Sequence, residues 1–311
     1  MEEVETIQIA LFVCCHKECV VPEHPLLVPI QTGAALVERR FPGFLRDDVG
    51  DHISDKNRSY CELTAQYWAW KNCPSDYVGF FHYRRYLYPD PSARRPYRIC
   101  RVPSLRLLER LGYDRFESLI RSFDFILPKA ENQRMPVREQ YASAPFHRAE
   151  DLLMTERIIQ ERFPDFADAM ERYLSGYEQY FGNIFIMRKD VFEDYCEWLF
   201  SILEEFDRLS ERSRPSELRP LPERRVNGYI AERLLGVYYA RNRTRLRSLE
   251  LPRVHFFPRP TDCFFQKTTT LLLPPGTRRR AVVKRIWRKA AYAPATGAGQ
   301  NETEPARKIR L

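Results

Sequence analysis

The chain has 311 residues, 44% of them hydrophobic and 13% aromatic. That is enough apolar material for one large domain or two small ones with a real core, and it excludes disorder for most of the length. The formal net charge of +8 sits at the end: between Arg278 and Arg310 ten Lys and Arg stand against two Glu, an excess equal to the whole surplus. The remaining body is near neutral, which excludes nucleic acid as the main partner, since that would need a basic face on the folded part.

The first residues, Met-Glu-Glu-Val-Glu, are acidic where a secretory leader would be basic. This predicts a cytoplasmic chain whose eight cysteines are reduced thiols, and no apolar stretch reaches the roughly 20 residues needed to span a bilayer. Residues 7–15 form a continuous apolar run, the pattern of a strand buried on both faces. The polar break His16-Lys17-Glu18 then reads as the rim of a site, because ligands of open α/β sheets sit at the carboxyl ends of strands. Cys14, Cys15, His16 and Cys19 have metal-ligand chemistry, but no second Cys/His pair at zinc spacing follows. Residues 46–57, with Asp47, Asp48, Gly50, Asp51, Ser54, Asp55 and Asn57, have loop chemistry.

Leu63, Tyr67 and Trp70 recur at helical spacing and predict a helix over 60–71 that ends near Asn72-Cys73-Pro74. Residues 76–81 read as a second buried strand, 89–103 as an Arg/Pro-rich surface loop, 123–127 as a third strand and 183–187 as a fourth. Helices are expected over 137–144, 149–162, 164–174, 190–209 and 226–239, with a linker at 210–222 and a late edge strand at 253–257. Strands alternating with helices predict an α/β domain with a mostly parallel sheet. Past Pro274-Pro275-Gly276, residues 278–292 place Val282, Val283, Ile286 and Trp287 on one side of a helix otherwise made of Lys and Arg. That pattern fits either a peripheral contact with an anionic membrane surface or a solvated tail.

The junction over residues 76–86 is the most informative segment. An apolar strand delivers His82, Tyr83, Arg84 and Arg85 at its end with no turn former between, and core packing does not call for cations there. Guanidinium forks match phosphate geometry, so one reading is a diphosphate site. The other is an internal network of these arginines with Asp47, Asp48, Asp51 or Glu62.

Several segments around this junction resemble one bacterial family: IALFVCCHK at 9–17, LRDDVGDHISDKN at 45–57, YCELTAQYWAWKN at 60–72, DYVGFFHYRRY at 76–86, and NIFIMRK at 183–189 with GYIAERLL at 228–235. The family is domain of unknown function 4422, glycosyltransferase family 111, and the resemblance runs over about residues 7–257. It implies a GT-A-like fold over 1–275, with a nucleotide half to about 130 and an acceptor half over 131–260, followed by the basic tail 276–311. It also implies transfer of a hexose, galactofuranose, from its UDP-activated form with inversion onto a growing capsule, O-antigen or exopolysaccharide glycan. The alternative is a catalytically silent sugar-nucleotide or glycan-binding module of a polysaccharide assembly complex.

Many GT-A enzymes hold a divalent metal with Asp-x-Asp where this chain reads His82-Tyr83-Arg84. The departure implies catalysis without a metal cofactor, with cations stabilising the departing UDP; the Asp47/Asp48/Asp51 cluster is the alternative, a site for magnesium or manganese. The resemblance puts the nucleotide near His16 and Lys17, and the substrates against Asp47, Asp48, Asp51, Asn57, Glu62, His82, Tyr83, Arg84, Arg85, Asn183 and Arg233. Glu62 is expected to fix Arg84 or Arg85, and Arg188 to border the acceptor cleft with Asn183. Glu232 is expected as the general base, with Asp151 and His147 as alternatives, unless Glu232 is spent on an intrahelical pair with Arg233. A polyprenyl-diphosphate-linked acceptor would suit a protein held peripherally on the inner face of the plasma membrane through its tail.

Overall fold

The structure, a computed structural model, describes residues 7–214, 219–220 and 223–283; Ile286, Trp287 and most of the expected amphipathic tail lie outside the described residues. Twelve strands follow in chain order: β1 (Ile9–Cys15), β2 (Leu27–Gln31), β3 (Leu45–Arg46), β4 (Tyr77–His82), β5 (Arg85–Leu87), β6 (Tyr97–Cys100), β7 (Phe125–Pro128), β8 (Glu131–Asn132), β9 (Glu178–Gln179), β10 (Phe185–Arg188), β11 (Ser248–Leu251) and β12 (Arg253–Phe256). The main sheet runs β11-β7-β10-β4-β1-β2-β3. It is parallel across β4-β1-β2-β3 and β7-β11, while β10 is antiparallel to both neighbours. This is the expected α/β class, a mixed and mostly parallel sheet flanked by helices.

Two sequence expectations need correction. The late strand is not an edge: β12 pairs with both β5 and β6 in a ribbon that branches from the end of β4. The segment read as a surface loop over 89–103 contains β6, whose short, half-exposed run has no apolar periodicity to betray it.

Ten α-helices lie wholly within the described residues: α1 (Asn57–Tyr60), α2 (Leu63–Asn72), α3 (Leu105–Arg110), α4 (Phe116–Arg121), α5 (Val137–Ala142), α6 (Ala149–Arg162), α7 (Ala167–Ser175), α8 (Lys189–Ser213), α9 (Val226–Asn242) and α10 (Pro260–Leu272). Successive residues of a strand face opposite ways, and β1 shows the consequence. Ala10, Phe12 and Cys14 join the core beneath α2, α8 and α9, whereas Leu11, Val13 and Cys15 join the one beneath α3 and α4. A strand covered on both faces has to be apolar throughout, which is why its sequence is an unbroken run. On α8 the stripe Phe192, Tyr195, Leu199, Leu203 and Phe206 is fully buried against the sheet. α9 is buried nearly all round, and Gly236 lets it approach Tyr173 of α7, where a Cβ would fall inside the tyrosine ring's van der Waals envelope. Among the described residues no helix is long and apolar enough to cross a membrane.

This topology brings four things to one end of the sheet. They are the carboxyl ends of β1 and β4, the turn into α2, the loop entering β10, and the first turns of α9.

Candidate active site

β1 and β4 are parallel neighbours with Cys14 opposite His82, so the residues that follow each strand emerge side by side. Tyr83 N–H donates to Cys14 O at 3.2 Å, fixing the two-residue turn into β5. Tyr83 is the hub of the group: the His16 ring meets it edge-on at 5.0 Å, Lys17 Nζ lies 5.4 Å from its centroid and the Arg84 guanidinium 5.0 Å. The His16 and His82 rings are 6.4 Å apart. Burial holds both imidazoles below their ordinary pKa, with Lys17, Arg84 and Arg225 adding to it at His16 and Arg85, Arg84 and Arg225 at His82. Two neutral imidazoles thus stand among permanent cations. Among the described residues, Lys17, Arg84 and Arg225 form no ion pair with a carboxylate.

Two carboxylates lie near this cluster, Glu62 and Glu232, which act with Arg225 on Cys61. Glu62, at the start of α2, accepts from Asn183 Nδ2 at 2.9 Å, and the same amide nitrogen donates to Gly228 O of α9 at 3.2 Å. Burial raises the Glu62 pKa, partly offset by the hydrogen bonds it accepts. Gly182 (φ +100°) and Asn183 (φ +48°) both take left-handed backbone, which turns the chain sharply into β10. The turn presents Gly182 N–H to Glu232 Oε1 at 3.1 Å, while Arg253 Nη1 and Gln66 Nε2 hold the carbonyls of Phe181 and Asn183. Glu232 Oε2 does form the expected alternative, a pair with Arg233 at 3.0 Å, yet the Glu232 side chain keeps 21% exposure.

The other expected residues separate into scaffold and surroundings. Asp47 is fully buried, and both its oxygens are taken: by Gly33 N–H, Ala34 N–H, Ser54 Oγ and Thr64 Oγ1 at 2.6–3.0 Å. It organises the loops beside β2 and has no lone pair left for a substrate or a metal. Asp48 is paired with Arg46 and Arg40, and Asp51 faces Tyr67 and the Asn72 amide. The three carboxylates do not converge, and among the described residues no three His, Cys, Asp or Glu side chains cluster as metal ligands. Asn57 binds Cys61 O and Thr64 Oγ1 and so sets the entry to α2. Cys14 and Cys15 point to opposite faces of β1, which rules out the four-ligand reading; Cys15 Sγ lies 3.2 Å from Cys19 Sγ as a free thiol pair.

Arg233 is 2% exposed, donates to Gln140 and Tyr229 O and stacks on Tyr141, so it underpins Glu232 instead of facing a ligand. Glu62 meets Asn183, not Arg84 or Arg85. Arg188 is at the far end of β10, locked between Asp124 and Asp190, with four residues between it and Asn183. His147 packs against Tyr229, one turn before Glu232, and Asp151, its pKa raised by burial, lies in the field of Arg219 and Arg148 at the start of α6. A cleft of about 370 Å³ lined by Phe166, Trp198 and Arg241 opens at the other end of α9, away from all of these groups.

Arg225 and Cys61 escaped the sequence reading. Arg225 lies just past a segment that reads as linker, yet it stands at the residue before α9 and its Nε donates to Cys61 Sγ at 3.3 Å. Cys61 itself is held at φ +54°, a strained conformation for a side-chain-bearing residue, and packs under Gly228, whose missing Cβ makes room.

The buried histidines give the fold a pH dependence of defined sign. His82 and His255 are both held well below the usual imidazole pKa, chiefly by burial and then by nearby arginines. The unfolded chain takes up protons near pH 6.5 where the folded one does not. Stability is therefore complete above about pH 6.5 and falls below it by up to about 1.4 kcal/mol per pH unit for each histidine. Denaturant unfolding between pH 7.5 and 5.5 should show this slope, and His82→Gln should remove one proton's share of it. An unchanged slope in that variant would contradict the assignment.

The model of the family described as domain of unknown function DUF4422 matches residues 10–243. Among solved structures, the WbbM bifunctional glycosyltransferase in its apo form is similar, with a TM-score of 0.74 and 29% identity over 80% of this chain. The aligned part is 45% of that structure, so this chain spans less than half its length. No curated protein matches. With three quarters of its length matched, and with the segments that build the strand-end cluster inside the matched region, the chain belongs to the DUF4422 family.

Proposed function

We propose that the chain is a glycosyltransferase that moves a hexose, galactofuranose, from a UDP-sugar to a growing cell-surface glycan with inversion. The observation that carries this reading is the trio Lys17, Arg84 and Arg225, cations without carboxylate contacts among the described residues: Lys17 and Arg84 flank Tyr83 at the carboxyl ends of β1 and β4, and Arg225, at the start of α9, acts with Glu232 on Cys61. The likeness to a bifunctional glycosyltransferase supports the reaction class.

In the proposed reaction Glu232 takes the proton of the acceptor hydroxyl as its oxygen bonds to the sugar's anomeric carbon. The bond from that carbon to the diphosphate breaks with its electron pair, and UDP leaves carrying the extra negative charge. Lys17, Arg84 and Arg225 are the groups that meet this charge. At about 4 Å and an effective dielectric near 20, each charge pair is worth roughly 4 kcal/mol before desolvation. The residues here do not suit a divalent ion, because the strand end offers His82, Tyr83 and Arg84 where hard oxygen ligands would be needed and the neighbouring cations repel it. We therefore propose turnover without a metal cofactor. The acceptor we propose is a glycan on a polyprenyl diphosphate, met at the inner face of the plasma membrane.

The test is UDP release from a panel of UDP-sugars, with and without EDTA. We expect UDP-galactofuranose to be turned over at the same rate in both. Loss of turnover in EDTA and its return with manganese would overturn the metal-free reading. No UDP from any donor with a glycan acceptor present would favour the binding-module alternative.

A further inference from the structure

α10 is built inside out. Its buried positions are Cys263, Gln266, Thr269 and Thr270, while Phe264 (73% exposed), Phe265 (43%), Leu271 (65%) and Leu272 (66%) face solvent. At 100° per residue the four apolar side chains and Thr268 fall within a stripe about 120° wide, with Lys267 at its margin. A helix on the surface of a globular domain normally turns such a stripe inward, and a contiguous exposed apolar patch marks an interaction surface. Val282, in the helical segment over 278–283, is also 53% exposed.

The charge around the patch selects its partner. Lys267, Arg278 and Arg279 are exposed, and the 28 residues after Val283 bring seven more Lys and Arg against two Glu. A second copy of the chain docked through this face would bring like charges together. An anionic bilayer meets both features, taking Phe and Leu into the headgroup–acyl boundary and the cations at its surface. Position fits as well. α10 follows directly from β12, whose Phe256 N–H donates to Arg84 O at 2.8 Å, so the helix springs from the rim of the strand-end cluster.

We propose that α10 lies in the surface of an anionic membrane on its Phe264/Phe265/Leu271/Leu272 face, holding the carboxyl ends of β1 and β4 toward the lipid. The inference stands whether or not the transferase reading holds.

Flotation of the full chain with phosphatidylglycerol–phosphatidylcholine vesicles tests it. The wild type should float, and the triple variant Phe264→Ser, Leu271→Ser, Leu272→Ser should lose at least about tenfold in vesicle partitioning. Phe264→Leu, which keeps the stripe apolar, should stay within about twofold of wild type. Since these side chains are exposed, circular dichroism melting should match across the set, and UDP release in solution should be unchanged. The single variant Leu271→Lys supplies the same comparison if the triple variant melts early. Flotation of the triple variant equal to wild type would assign binding to the basic tail alone and overturn the proposal. So would absence of wild-type flotation, or a wild-type dimer in light scattering that the triple variant abolishes.

Discussion

Replacing Glu232 by Gln gives a folded protein that turns over about two to four orders of magnitude more slowly. The carboxylate has a defined direction: Oε1 accepts from Gly182 N–H, Oε2 pairs with Arg233, and 21% of the side chain remains exposed. A general base needs this combination of fixed orientation and access to the acceptor. Gln preserves the shape and can still accept from Gly182, but it cannot take up a proton at neutral pH. Arg233 keeps Gln140 and Tyr229 O as partners, so the loss of its ion pair costs on the order of 1–3 kcal/mol of stability. Turnover should therefore be compared well below the melting temperature. The donor's KM should change little. A kcat within about tenfold of wild type would remove Glu232 from the mechanism and leave its role as the partner that neutralises Arg233.

What was legible in the sequence follows from how strongly each residue is constrained. β1 and β4 are covered on both faces, so each had to be an apolar run, and His82, Tyr83 and Arg84 stand out because nothing in a core requires them at such a strand's end. β2 and β6 are five and four residues long with mixed burial and no periodicity, so neither registers in the pattern. β12 looked like an edge because its partners, β5 and β6, are remote in sequence from it. In the site, Asp47 was misread because a carboxylate that gathers loop N–H and O–H groups has the same local sequence as one that binds a ligand; only its four donors tell them apart. Arg225 was missed for the converse reason. Its surroundings in the chain are Arg- and Pro-rich, and its place beside Cys61 and His82 is created by the packing of α9 on the turn before α2.

Arg84→Ala and Arg225→Ala should each lower kcat by about 10²–10³, the effect typical of losing one group that stabilises charge in the transition state. Both side chains remain charged at any working pH, both act on His82, and neither has a carboxylate partner among the described residues. Glu62 lies in the field of Arg225 without contacting it, so both guanidinium groups remain free to meet a departing diphosphate. The two positions differ in what else they do, and that difference makes the test decisive. Arg84 only flanks Tyr83, so Arg84→Lys should retain much of kcat if a point charge suffices and lose it if a two-pronged fork is needed. Arg225 also donates to Cys61 Sγ and helps hold that residue at φ +54°, so Arg225→Ala could lose activity merely by releasing the turn before α2. Binding of UDP separates the two effects. A cation that meets the diphosphate weakens UDP affinity when removed, while a cation that only braces Cys61 lowers the melting temperature and leaves UDP affinity intact. If both Ala variants bind UDP as wild type does, the strand-end cluster is not where the leaving group's charge is met, and the diphosphate must be sought elsewhere on the protein.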